Sequence, residues 1–217
     1  MFIINIIEEY YLIFRNKLLG FIRPIPEKYK SGNKGDIVII IGINESWYFL
    51  KFIADYFNKN GYRIHFPEFK TRDSILRITQ DVINYINNNK LENFFIITHS
   101  KGGLVARLII ENTTLKINQI YNVSVPNNGS IFGYLYLINL KEMKPNSSLI
   151  NRINKSKTDK IVNIYSKFDN LVIPNYNLKL TGAINKQIDI IGHTRILESN
   201  QLLKYIEKLI MIYEEKK

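Results

Sequence analysis

The chain has 217 residues and 46% hydrophobic content, which suits one domain with a substantial core and excludes a disordered polymer. It contains no cysteine, so disulfides, thiolate metal sites and a cysteine nucleophile are excluded and a reducing, cytoplasmic setting is expected. The net charge of +11 admits an anionic partner, but the basic residues are spread along the chain with no zinc-finger spacing, RNP-like segment or long basic run, so a solvated basic surface is expected and nucleic-acid recognition is not.

Residues 1–22 are strongly apolar but interrupted by Glu8, Glu9, Arg15, Asn16 and Lys17. They lack the basic start and small-residue cleavage site of a secretory signal, and they carry too many charges for a membrane span. Helical spacing puts Asn5, Glu8, Glu9 and Asn16 on one side, opposite a broad face with Ile3, Ile7, Phe14, Leu18 and Phe21. This amphipathic helix either packs on the domain or lies on a membrane surface, and the nearby Arg15, Lys17, Arg23, Lys28, Lys30 and Lys34 favour an anionic interface. The expected location is therefore cytoplasmic and peripheral to a membrane. Arg23-Pro24-Ile25-Pro26 must be extended, which makes residues 1–35 a helix and linker ahead of a domain at 36–217.

From Asp36 onward, strands and helices alternate, which predicts an α/β domain with a mainly parallel sheet of about six strands and helices on both faces. Asp36–Ile41 is the first strand, Ser46–Asn60 a helix stopped by Gly61, and Tyr62–Phe66 a short strand. Ile75, Ile78, Val82, Ile83 and Ile86 mark the next helix.

Phe94-Phe95-Ile96-Ile97-Thr98-His99-Ser100-Lys101-Gly102-Gly103 then reads as a buried strand, one serine on a sharp turn, and a helix opened by glycines. That order is a nucleophile elbow, in which the bend holds a hydroxyl clear of the backbone. Thr98 breaks the G-x-S-x-G pattern at its first position, and its methyl and hydroxyl must be accommodated by neighbouring strands. Nucleotide-binding strand-glycine-helix junctions place several glycines before the helix, and none lies between Phe94 and Ser100.

Gln119–Val125 is strand-like, and residues 127–158 form a long insertion that either covers a site as a small lid or makes an ordinary crossover. Lys160–Tyr165 and Lys186–Ile191 are the last strands, followed by a helix from about Ser199.

Sites in open α/β sheets lie beyond the strand C-termini. Asp169 sits in the turn after one late strand and His193 in the loop after the next, so the chain order is Ser100, Asp169, His193. This is the serine, acid, histidine order of α/β-hydrolases. Asp189, inside a strand, is the rival acid; His99 adjoins Ser100 too closely to act as its base and is expected to pack at the elbow, and His65 is expected to be structural. An oxyanion hole would use the Lys101 N–H and an N–H of the Gly42–Trp47 loop, with Ile43 the first choice and Asn44 the second. Trp47, Ile131 and Leu171 belong to apolar stretches that either line an acyl pocket or lie in the core.

His-Ser-Lys-Gly-Gly-Leu-Val-Ala-Arg, Val-Pro-Asn-Asn-Gly-Ser, Phe-Asp-Asn-Leu-Val-Ile-Pro and Gly-His-Thr-Arg-Ile-Leu resemble, in the same order, segments of small bacterial lipases and esterases of the α/β-hydrolase superfamily. The resemblance runs from Asp36 nearly to the C-terminus. It implies a carboxylic-ester hydrolase that uses Ser100, Asp169 and His193 without a cofactor or metal, acting on a small acyl ester or a lipid. Two positions depart from the pattern: Thr98, and Ile41 where many lipases have the histidine of a His-Gly motif. Thioesterase, amidase or acyltransferase chemistry would use the same groups, and a catalytically silent, membrane-associated binding protein on this scaffold is a different class of reading.

Overall fold

The structure, a computed structural model, describes residues 2–112, 114–135 and 140–216. The chain runs α1 (Phe2–Ile22), β1 (Gly35–Ile40), α2 (Lys51–Lys59), β2 (Tyr62–His65), α3 (Ile75–Asn88), β3 (Phe94–His99), α4 (Lys101–Asn112), β4 (Ile117–Val123), α5 (Ser148–Ile153), β5 (Ile161–Phe168), β6 (Ile184–Ile191) and α6 (Asn200–Glu214). The six strands form one sheet in the order β2-β1-β3-β4-β5-β6, and every neighbouring pair is parallel.

Side chains alternate across this sheet because the strand repeat is two residues. Ile37 and Ile39 of β1 and Phe95 and Ile97 of β3 enter one core with Ile53 and Phe57 of α2 and Leu202, Ile206 and Ile210 of α6. Val38, Ile40, Phe94 and Ile96 point the other way, into a core with Ile78 and Val82 of α3, Leu104 and Leu108 of α4, and Ile150 of α5. Both faces of the central strands are buried, so β1 and β3 read as continuous apolar runs, whereas β6 at the edge is largely exposed. Ser74 and Ser199 start α3 and α6 by accepting N–H donors of the first turn through their hydroxyls.

The helix expected over Ser46–Asn60 opens with a 3-10 turn at Trp47–Leu50 before α2 begins. The strand expected at Gln119–Val125 is displaced towards its start, because Ser124 takes a left-handed φ of 50° and ends the ladder. In the segment 127–158, residues 136–139 lie outside the described residues; the remainder holds 3-10 turns at Ile131–Tyr134 and Leu140–Met143, followed by α5. Arg107 of α4 pins this segment from below, donating to the Asn127 carbonyl, the Ile153 carbonyl and Asn154 Oδ1.

Helix α1 is docked with its polar side inward. Its buried residues are Glu9 and Asn16, while Ile3, Ile7, Tyr11, Phe14, Leu18 and Phe21 are exposed. If the helix were held by apolar packing, the opposite arrangement would result. Hydrogen bonds and ion pairs supply much of the attachment, alongside Ile13 packed on the core and an edge contact between Phe2 and Phe168. Glu9 accepts from the Thr194 and Arg195 N–H groups, Glu8 pairs with Arg195, Arg15 pairs with Glu198, and Ser46 Oγ donates to the Asn16 carbonyl.

Candidate active site

The sheet order reverses direction between β1 and β3, and in such sheets a crevice opens beyond the strand C-termini at this point. A cavity of about 260 Å³ lies there. Ser100 and His193 line it together with Ile43, Phe49, Leu171 and Val172, and Ile13 and Lys17 of α1 close one side.

Ser100 occupies the turn between β3 and α4 with φ of 51°. The turn is locked by Ser100 N–H donating to the Val123 carbonyl at 3.0 Å and by Gly103 N–H donating to the Ser100 carbonyl at 3.0 Å. Gly102 is required by the close approach of α4 to β1, since a Cβ there would sit 2.2 Å from the Ile40 carbonyl oxygen. Thr98, which stands in place of the first glycine, is accommodated by β4: its hydroxyl donates to Asn122 Oδ1 at 2.9 Å, directly across the ladder.

Asp169 follows β5 and is completely buried. Oδ1 accepts from the Leu171 and Val172 N–H groups, both at 2.8 Å, and Oδ2 lies 2.7 Å from His193 Nδ1. The carboxylate is thus fixed by three donors and leaves Nε2 as the imidazole's second nitrogen. Burial on its own would lower the His193 pKa, but the Asp169 carboxylate, assisted by Glu45 and Glu9, outweighs it and raises the value above that of a free imidazole. The His193 N–H also donates to Asn170 Oδ1 at 3.1 Å.

Two carboxylates that the sequence reading assigned no site role support this arrangement. Glu45, in the loop after β1, accepts from Gly42 N–H at 2.6 Å and lies 2.6 Å from His99 Nδ1. Burial would raise the Glu45 pKa, but the charge and hydrogen bond of His99 hold it below the usual carboxylate range. His99 does pack at the elbow, with its ring 4.6 Å from that of His193. Glu9 reaches the same loop from α1, with Oε1 2.7 Å from the Thr194 nitrogen and Oε2 2.8 Å from that of Arg195. Gly192 makes room for it, because a Cβ there would meet Glu9 Oε2 at 2.4 Å. A single signal was available for both: an acid interrupting an otherwise apolar or glycine-rich stretch beside a predicted site.

The remaining expectations divide. Ile43, Asn44 and Leu171 line the cavity. The Asn44 N–H donates to Thr71 Oγ1 at 3.1 Å, whereas the Ile43 and Lys101 N–H groups donate to no described residue. The Lys101 side chain is buried away from solvent, where Nζ donates to the Thr71 and Asp73 carbonyls, and burial pushes its pKa down to about 8. Trp47 does not line the cavity. It belongs to the core beside Tyr29 and Phe66 and donates from Nε1 to the Arg23 carbonyl at 2.9 Å. Ile131 is half-exposed and also lies outside the lining, while its neighbours Phe132 and Gly133 are part of it. His65 is held by Asp36 and Tyr85, and Asp189 pairs with Lys167 on the outside of β6.

Glu45, His99 and His193 bring one oxygen and two nitrogens within 4.8 Å of one another, a grouping that could suit a metal ion. Most of their atoms are already engaged internally: Glu45 with Gly42 and His99, His99 with Glu45 and the His193 carbonyl, and His193 Nδ1 with Asp169, leaving only His193 Nε2. The set reads as a hydrogen-bonded support.

No protein-family model and no curated protein matches the chain. Solved structures do. An α/β hydrolase enzyme from the metagenome of Mar Chica lagoon sediments, Morocco, superposes with a TM-score of 0.62 at 19% identity over 85% of this chain and 93% of its own. Est1E from Butyrivibrio proteoclasticus gives 0.65 at 12% identity over 83% and 88%, and Paleococcus ferrophilus monoacylglycerol lipase gives 0.62 at 15% identity over 85% and 95%. The chain has the α/β-hydrolase fold.

Proposed function

We propose that this protein is a serine hydrolase that cleaves carboxylic esters by acyl transfer, with Ser100 as nucleophile, His193 as general base and Asp169 as the group that orients it. The observation that carries this reading is the 2.7 Å contact between His193 Nδ1 and a buried, fully hydrogen-bonded Asp169, at a cavity whose wall also holds Ser100.

In this reading Ser100 Oγ attacks the ester carbonyl while its proton passes to His193 Nε2. Asp169 stabilises the imidazolium that forms, and the proton then leaves with the alcohol. Water repeats the sequence on the acyl-enzyme and regenerates Ser100. The N–H groups of Lys101 and Ile43 bind the oxyanion; each such donor contributes about 3 kcal/mol to transition-state stabilisation. Asn44, whose N–H already donates to Thr71, is the second choice for that role. The apolar lining supports an acyl chain as the bound portion of the substrate, with Leu171 among its contacts, and the described parts of the segment 127–158 serve as the cover that supplies Phe132, Leu135 and Met143 to the wall.

A fluorophosphonate probe tests this without assuming a substrate. Labelling of the intact protein that is lost in Ser100→Ala and in His193→Ala supports the reading. Absence of labelling in the intact, folded protein refutes it and leaves a silent scaffold.

A further inference from the structure

The most unusual surface of this protein is the outer side of α1. Among the described residues, ten of the twenty exposed large hydrophobics belong to this helix, including Ile7 at 63%, Phe14 at 66% and Phe21 at 92% exposure. The inner side carries Glu9 and Asn16, both completely buried, so the helix is attached by polar contacts and turns its apolar stripe to solvent. Scattered surface hydrophobics need no explanation, but a contiguous stripe along a 21-residue helix does.

We propose that the outer face of α1 is a docking surface for an anionic lipid membrane, on which the helix lies parallel to the plane with the mouth of the cavity beside it. Three observations select a lipid surface. First, the stripe is broad: at 100° per residue, Tyr10, Phe14, Ile7, Leu18, Tyr11 and Ile4 span a continuous arc of about 120°, wider than the narrow seam two paired helices bury. Second, the charge is complementary. Glu9 is spent on backbone N–H groups and Glu8 on Arg195, whereas Lys17 at one edge of the stripe and Arg23 just past the helix end have no acidic partner among the described residues, in a chain of net charge +11. Basic residues flanking an apolar stripe bind anionic headgroups while the stripe enters the acyl boundary. Third, Tyr10 and Tyr11 are exposed at 55% and 61%, and such amphipathic rings favour the headgroup level. No described helix is long and apolar enough to cross a membrane, which leaves lying on the surface as the mode of contact.

The placement also concerns the cavity. Ile13 and Lys17 of α1 line it, and Leu135, exposed at 47%, lines it from the opposite segment. A membrane bound to α1 therefore lies next to the entrance, and an acyl chain could pass from the bilayer into an apolar cavity with little exposure to water. This last step rests on the proposed hydrolase reading, whereas the docking itself does not.

The test uses full-length Ser100→Ala protein, so that binding is measured without turnover and independently of whether the protein is an enzyme. Flotation is compared on vesicles of phosphatidylcholine and of phosphatidylcholine with phosphatidylglycerol, for this protein and for versions also carrying Ile7→Asp with Phe14→Asp, or Lys17→Glu with Arg23→Glu. The expected result is flotation with the anionic vesicles, falling at least about tenfold in the apolar pair and clearly in the charge pair. Unchanged melting temperatures establish that the variants remain folded. Failure of the unsubstituted protein to float with anionic vesicles overturns the proposal regardless of the variants, and so does equal flotation of the Ile7, Phe14 pair. A dimer in sedimentation that the same pair dissociates, without vesicle binding, assigns the face to a second copy of the chain and also overturns it.

Discussion

His99, the residue before the proposed nucleophile, lies with Nε2 3.1 Å from the carbonyl oxygen of His193 and Nδ1 2.6 Å from Glu45 Oε1. His99 thus bridges two acceptors, the backbone carbonyl of one loop and the side-chain carboxylate of the other. Both side chains are nearly or wholly buried, at 0% and 6% exposure. The pair ties the end of β3 and the loop after β1 to the backbone of His193.

Glu45→Gln is therefore expected to be strongly destabilising, because removing one partner of a buried ion pair leaves an uncompensated charge. The expected cost is about 3–5 kcal/mol, read as a shift of the urea midpoint at unchanged slope. A change under about 1 kcal/mol would mean that the Glu45 charge does not hold the two loops together. The depressed Glu45 pKa sets the sign with pH: its contribution is present above the unfolded carboxylate pKa and is lost as pH falls through the lower folded value.

The raised His193 pKa makes a prediction about rate. A general base must be neutral, so the acid limb of kcat/KM is expected above pH about 6.5, the ordinary imidazole value. Asp169→Asn removes the largest influence raising it and leaves the burial that lowers it, so the limb moves to lower pH while kcat falls by about 10⁴. An unmoved limb would assign it to another group. The same elevation has the opposite sense for folding: the stabilisation from His193 is complete below its unfolded pKa and disappears as pH rises through the folded value.

At Gly102 the neighbours of a new Cβ are all main chain, the Ile40 carbonyl at 2.2 Å and the Ile41 carbonyl at 2.9 Å. Backbone in the centre of the sheet cannot turn aside as a side chain does. Gly102→Ala is thus expected to cost at least about 1–3 kcal/mol and to displace Ser100, visible as a lower melting temperature together with loss of fluorophosphonate labelling. Normal labelling in a destabilised variant would show that α4 can shift without moving the serine.

Much of this was legible because it depends on short-range pattern. The central strands announce themselves as apolar runs, Phe94–Ile97 and Ile37–Ile40, since both of their faces are covered, whereas the edge strands β2 and β6 are shorter or more polar. The elbow is local too, a strand, Ser100 and two glycines within ten residues. Asp169 and His193 could be paired from sequence because the fold confines candidates to strand C-termini, and the structure brings the two within 2.7 Å. What escaped depends on contacts over long separations. Trp47 looks the same in sequence whether it faces a cavity or Tyr29 and Phe66, and only the docking of the residue 23–30 segment decides for the core. Glu9 is separated from Thr194 by 185 positions, and no periodicity within α1 discloses that its polar side is the one that packs.

Glu9 and Glu8 offer the last prediction, as neighbours with opposite expected consequences. Glu8 pairs with Arg195 at the surface, with its side chain half-exposed, so Glu8→Gln should change stability by less than about 1 kcal/mol. Glu9 is wholly buried and is the acceptor for two N–H groups that start the turn after His193. Glu9→Ala leaves both donors without a partner, and each hydrogen bond to a charged group is worth about 1.5–3 kcal/mol. The loss should loosen α1 and the His193 loop together, seen as faster amide exchange at Thr194 and Arg195 and a fall in kcat rather than a rise in KM. Glu9→Gln retains one acceptor oxygen and should recover part of the loss. If Glu9→Ala instead leaves exchange at Thr194 unchanged, the carboxylate does not hold that loop, and α1 is attached through Glu8, Ile13, Arg15 and Asn16.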